Sequence, residues 1–148
     1  MTEEDVTKSI LKWLIQNGWN IICFDFPQSG TGIFLHPNNS SSKNKDSVNI
    51  DIVAVKGGEC LFFENKDRFY FQDYKKIYKL KTENNYSRDI GKLLKEYNNI
   101  SKFYGIGLPT SAHKKKSKAS INLVDFIIGV NDDKTIEILF KNDGINFT

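Results

Sequence analysis

Apolar positions recur along this chain with two periods, and the switches between them mark the elements. Val6, Ile10, Trp13 and Leu14 repeat at helical spacing. Thr2 stands ahead of them as a cap, with Asp5 at the capping-box position and Glu3 and Glu4 in the first turn. Asn17-Gly18 supplies the stop. Residues 19–26 are dense in β-branched and aromatic types and close at Pro27, which predicts a strand. Residues 28–47 are polar and read as one long loop, a length that goes with function or disorder. Residues 48–55 and 59–65 predict two strands joined by Gly57-Gly58, a strong hairpin signal. Both runs are apolar on both faces, so helices are expected to cover the sheet.

The spacing then predicts helices over 70–81 and 87–98, the second carrying Ile90, Leu93, Leu94 and Tyr97. Residues 102–108 read as a strand closed by Pro109. Residues 121–130 and 134–140 read as a C-terminal β-hairpin around Asn131-Asp132-Asp133. The order α-β-β-β-α-(α)-β plus hairpin predicts an α/β fold, with a central mixed β-sheet flanked by helices. No repeat or linker divides residues 1–148, which read as a single domain.

Composition narrows the class. Over 148 residues, 39% apolar and 26% charged types describe a soluble globular chain rather than a disordered one. No run approaches the roughly 20 apolar residues of a membrane span. The acidic start, Met1 to Asp5, is not the make-up of a secretory signal. Cys23 and Cys60 are too few for a disulfide scaffold or a four-cysteine zinc site. They read as small core residues of an intracellular, cytoplasmic protein. The lone histidines His36 and His113 read as solvated. The net charge of +3 is uneven: residues 1–74 hold 7 Lys+Arg against 10 Asp+Glu, and residues 75–148 hold 14 against 8. Such a split suits a metal-dependent enzyme on nucleic acid, and chance clustering of solvated lysines produces it as well.

The hairpin carries the chemistry. With Gly57 and Gly58 as its loop, Lys56 faces Glu59, an attractive closing pair. Counting back, Asp51 faces Glu64, a repulsive pair inside apolar strands. A divalent cation between the two carboxylates is the economical explanation. Two hard oxygen ligands suit Mg²⁺, with Mn²⁺ as a substitute. Lys66, two residues after Glu64, shares its face. There it can orient or deprotonate a water and stabilise charge on a phosphorane. That is equipment for phosphodiester hydrolysis. The plain alternative is a pair of rim carboxylates salt-bridged to Lys66 and Arg68.

Asp51 followed by Glu64-Asn65-Lys66 after a hairpin resembles the PD-(D/E)xK nuclease superfamily, which includes type II restriction endonucleases, Holliday-junction resolvases and virus-type replication-repair nucleases. The element order is similar over roughly residues 2–108, although Ile50 stands where the family has a proline. The resemblance implies a restriction-endonuclease-like core and a Mg²⁺-dependent DNA endonuclease leaving 5′-phosphate and 3′-hydroxyl ends. Asp51 and Glu64 would be its metal ligands and Lys66 would position the water. A glutamate on the first helix would assist. Among Glu3, Glu4 and Asp5, Glu3 continues the apolar stripe and is the first choice, with Glu4 second.

The segment 63–69 is most similar to small restriction-type nucleases, which puts restriction or defence ahead of junction resolution or replication-repair. A non-catalytic nucleic-acid-binding module on the same fold is the contrasting class. A chain this small with one site would need a homodimer to cut both strands.

Further DNA contacts are sought at Gln28 and Ser29, where related nucleases often place polar residues near the scissile phosphate, and which are equally an ordinary turn. Arg68, Lys75, Lys76, Lys79 and Lys81 interleave with Phe69, Tyr70, Phe71, Tyr74 and Tyr78. Such interleaving can track a backbone and stack on bases. An amphipathic helix with aromatics in the core and lysines in water produces the same pattern, and for the aromatics it is the preferred reading. Lys114, Lys115 and Lys116 are either a DNA-contacting loop or a solvated one. If all three contact phosphates, replacing them together should flatten the slope of log affinity against log salt by up to about three units. An unchanged slope assigns the loop to solvent.

Overall fold

A computed structural model describes residues 1–25, 33–38, 48–113 and 118–148. Helix α1 (Glu3–Gln16) opens with the expected capping box: the Thr2 hydroxyl accepts from the Asp5 N–H, and the Asp5 carboxylate accepts from the Thr2 N–H. Six strands form one mixed sheet in the spatial order β1 (Asn20–Phe24), β4 (Ile52–Lys56), β5 (Glu59–Asn65), β6 (Ser101–Pro109), β7 (Phe126–Val130), β8 (Ile136–Lys141). β5, β6 and β7 run parallel to one another, and the β1–β4, β4–β5 and β7–β8 pairs are antiparallel. The β4–β5 hairpin turns through Gly57 at φ +53° and Gly58 at φ +83°. Two left-handed residues in a row are what a type I′ turn requires.

Both faces of the sheet are buried. On one, Val53, Val55, Cys60 and Phe62 pack beneath α2 (Phe71–Thr82) and α3 (Ser87–Leu93). On the other, Ile52, Ala54, Leu61 and Phe63 meet Val6, Ile10 and Leu14 of α1, with Ile145 and Phe147 of the C-terminal segment. The Trp19 indole N–H donates to the Phe147 carbonyl at 2.7 Å and ties that segment down. The fold is thus α/β, a mixed six-stranded sheet between helical layers. Cys23 and Cys60 are buried free thiols, pushed up to about 11 and about 12 by burial, as suits core residues. Among the described residues no helix is long and apolar enough to cross a membrane.

Four expectations need correction. The run 48–55 is not one strand: β3 (Val48–Ile50) leaves the sheet and pairs with β2 (Ile33–Leu35), a strand inside the segment read as loop. The chain breaks at Asp51, whose N–H and carbonyl stay on Phe63 and Asp25 while Val48–Ile50 pair with β2. Helix α3 stops at Leu93 rather than 98, and Asn99 then takes φ +53°. Residues 121–125 do not extend β7: Ile121 ends a short helix, α4 (Lys118–Ile121), and Asp125 spends its carboxylate on the Tyr104 N–H and on Lys81 Nζ. Lastly, α2 buries only Tyr74, Ile77 and Leu80. Phe69 packs on Tyr74 at 5.1 Å between ring centres, while Tyr70, Phe71 and Tyr78 face solvent. One helix face cannot bury so many rings at once.

Two glycines separate packing from backbone freedom. A methyl group at Gly107, on β6, would collide with the Asn65 amide oxygen and Ile10 Cδ1. A methyl at Gly91, inside α3, would meet nothing. Gly107→Ala should therefore cost about 1–3 kcal/mol by overpacking, whereas Gly91→Ala should gain about 0.5–1 kcal/mol of helix stability. Urea unfolding midpoints of the two variants check the contrast.

Candidate functional site

Strand β5 ends at Asn65, and the polar residues of interest cluster around that end. The β4–β5 register is the expected one from Lys56↔Glu59 to Ile52↔Phe63. One step on, the Asp51 N–H donates to the Phe63 carbonyl at 3.0 Å, and the Asp51 carbonyl accepts from the Asp25 N–H at 2.7 Å. Asp51 thus keeps the ladder to β5 while the chain before it departs. Its carboxylate accepts from the Asn65 N–H at 2.7 Å. Alternation puts Glu64 on the α2 side, where it is 4% exposed. Asn65 points the other way, and its amide donates to the Thr7 hydroxyl of α1 at 3.1 Å.

That last bond has a consequence one turn away. Thr7 and Glu3 are i and i+4 neighbours on one face of α1, so fixing Thr7 on Asn65 carries Glu3 to the end of β5. Lys66, just past the strand, reaches both layers. Its ammonium lies 3.2 Å from Glu3 and 3.9 Å from Glu64. Glu4 pairs instead with Lys8, and Asp5 serves the cap. Of the three N-terminal acids, only Glu3 pairs with Lys66.

Helix α2 contributes two groups that sequence reading did not assign to this cluster. Lys76, expected among nucleic-acid contacts, donates to Glu64 at 2.9 Å and to the Asn49 carbonyl at 3.2 Å. Asp73, one turn earlier, is half-buried, and one of its oxygens has no hydrogen-bond partner. The available signal was their i, i+3 spacing, which sets them on one helix face. Of the other expected contacts, Arg68 and Lys75 are exposed. Gln28, Ser29, Lys114, Lys115 and Lys116 lie outside the described residues.

Charge in this cluster is strained. Burial raises Asp51 well above the usual carboxylate range, and the neighbouring Glu64 charge raises it further. Burial raises Glu64 as well, against the pull of Lys76. Asp73 is raised by burial despite Lys66 and Lys76. Burial works against the Lys66 charge, but the hydrogen bond to Glu3 and the surrounding carboxylates outweigh it, so Lys66 is held above its ordinary value.

Among the described residues, no three His, Cys, Asp or Glu side chains converge as a metal-binding set. The donor chemistry on offer is the Asp51 and Glu64 pair. It fits Mg²⁺, which keeps several waters and takes one or two carboxylates, rather than an all-protein cage. Compared with protein-family models, curated proteins and solved structures, the chain matches none.

The raised carboxylates fix the sign of a pH dependence. Where a folded-state acid titrates above its unfolded value, the native state holds a proton that the unfolded chain has released. In chelator, stability should therefore fall as pH climbs above the ordinary carboxylate range near ~4. Asp51→Asn keeps an acceptor for the Asn65 N–H and removes one charge. It should flatten that fall and stabilise the protein at neutral pH by about 0.2–1 kcal/mol. Urea midpoints across pH provide the measurement, and a variant less stable than wild type would make Asp51 a satisfied structural acid.

Proposed function

We propose that this chain is a metal-dependent DNA endonuclease with a restriction-endonuclease-like core, acting through the end of β5. The reading rests on one observation: half-buried Asp51 lies close enough to buried Glu64 to feel its charge, and Glu64 lies 3.9 Å from Lys66, which is itself paired with Glu3 of α1. A structural ion pair does not call for two carboxylates on neighbouring buried strands. A hydrolytic site for phosphodiesters does, because it must hold a hard cation beside an anionic substrate.

Each residue then has a role. Asp51 and Glu64 would hold Mg²⁺ or Mn²⁺, which when bound polarises a phosphoryl oxygen and lowers the pKa of water. Lys66, kept charged between carboxylates, orients the attacking water and stabilises negative charge building on the phosphorus oxygens. Glu3 holds the Lys66 ammonium in place. Asn65 aligns the site from behind, through its N–H on Asp51 and its amide on Thr7. Similarity of residues 63–69 to restriction-type nucleases favours a role in restriction or defence, as a homodimer where both strands are cut. A second reading, a nuclease for branched or partly unpaired DNA, is favoured by the exposed rings of Tyr70 and Phe71 a few residues past Lys66.

Supercoiled plasmid, linear duplex and a four-way junction, each with Mg²⁺ and with chelator, test the activity. Asp51→Ala, Glu64→Ala and Lys66→Ala should each abolish Mg²⁺-dependent cleavage while DNA binding survives. Glu3→Gln should lower the rate about 10–100-fold, as loss of a supporting partner does, and Glu4→Gln should leave it unchanged. Cleavage that persists in Glu64→Ala, or in excess chelator, overturns the reading.

A further inference from the structure

Among the described residues, the aromatic side chains exposed to solvent are Tyr70, Phe71 and Tyr78, at 37%, 38% and 43%. All three fall within nine residues of one another, and the first lies four residues past Lys66. Each costs solvation that a polar residue would avoid, and a cluster of exposed rings marks an interaction surface rather than scattered chance. Phe71, Lys75 and Tyr78 follow i, i+4, i+7 spacing, so they line one face of α2, with Lys79 beside them. Phe71 and Tyr78 adjoin the Tyr74 edge of the stripe of Tyr74, Ile77 and Leu80 that packs on the sheet, and Lys75 and Lys79 lie farther round toward solvent.

Cations accompany the rings. The Arg68 guanidinium lies 5.0 Å from the centre of the Tyr70 ring, and the Lys75 ammonium 5.1 Å from that of Phe71. Among the described residues, neither Lys75 nor Lys79 has an acidic partner within 4.0 Å. Lys81, by contrast, is spent on Asp125 and Lys76 on Glu64. Arg68 shares its charge with the neighbouring Asp67 at 3.4 Å, so the uncommitted positive charge beside the rings is that of Lys75 and Lys79.

We propose that this strip binds a single-stranded segment of nucleic acid and leads it to the acid cluster at the end of β5. Bases would stack on Tyr70, Phe71 and Tyr78, and phosphates would lie on Arg68, Lys75 and Lys79. Charge decides between partners: an apolar protein surface would gain nothing from Lys75 and Lys79, whereas a phosphate backbone needs them. Ring chemistry decides between forms of nucleic acid. In a duplex the base faces are covered by their neighbours, so exposed rings gain only from unpaired bases. Length agrees, since the seven helical steps from Phe71 to Tyr78 rise roughly 10 Å, about three nucleotides at the 3.4 Å spacing of a stacked strand. The inference rests on the nucleic-acid part of the functional reading and narrows its substrate to DNA with an unpaired stretch.

Fluorescence anisotropy of the full chain in chelator tests this apart from cleavage. The probes are a short labelled oligonucleotide and the duplex of the same sequence. Wild type should bind the single strand more tightly. Phe71→Ala combined with Tyr78→Ala should weaken single-strand binding by at least about five-fold per ring and leave duplex binding unchanged. Phe71→Tyr with Tyr78→Phe, which keeps both rings, should restore it. Arg68→Gln with Lys75→Gln should reduce the salt slope by up to about 1.4 units. Ile15→Ala, an exposed apolar residue elsewhere, serves as the control. Binding to neither probe, equal binding to both, or an unchanged single-strand affinity in the double alanine variant overturns the proposal. Single-strand binding lost with the rings, in a protein that cuts no DNA with Mg²⁺, supports the strip and sinks only the nuclease reading.

Discussion

Burial of β5 on both faces is the constraint from which the rest follows. Cys60 and Phe62 point to the α2 layer, Leu61 and Phe63 to α1, and the same alternation continues into Glu64 and Asn65. A strand buried on both sides cannot slip by one residue without turning its whole apolar set over. Its register is therefore stiff, and the polar residues at its end inherit that stiffness. Asn65 faces α1 and Glu64 faces α2 for the same reason that Phe63 and Phe62 do.

Such rigidity lets buried charge persist. Glu64 sits in a low-dielectric environment where an unpaired carboxylate would cost several kcal/mol. Lys76 and Lys66 approach it from a helix and a strand end. Asp51 has a backbone N–H instead of a cation, and its neighbour is another acid. The resulting balance of charges is poor for stability, and the proposed cation would relieve it. Gly107 belongs to the same arrangement, since its missing side chain leaves the room that the Asn65 amide and Ile10 occupy.

Helix α2 works on two sides. Tyr74, Ile77 and Leu80 anchor it to the sheet. Lys76 and Asp73 lie at the flank of that stripe and enter the acid cluster, while Phe71, Lys75 and Tyr78 face outward. The helical repeat separates these jobs within twelve residues.

Local signals determined much of this in the amino-acid sequence. Thr2 and Asp5 specify the start of α1, and Gly57-Gly58 specifies a hairpin whose period-two alternation opposes Asp51 to Glu64 and sets Lys66 beside it. Glu3 was legible because it continues an apolar stripe. Other features depended on partners far along the chain. The break at Asp51 is invisible in a run, 48–55, that reads throughout as one strand, because it is the pairing of Val48–Ile50 with β2 that divides it. The place of Lys76, and the exposure of Tyr70, Phe71 and Tyr78, depend on how α2 is rotated against the sheet. Periodicity tells which residues share a helix face. Which face is buried was decided by the fit of Tyr74, Ile77 and Leu80 into the core, an energy that exists only once the layers have met.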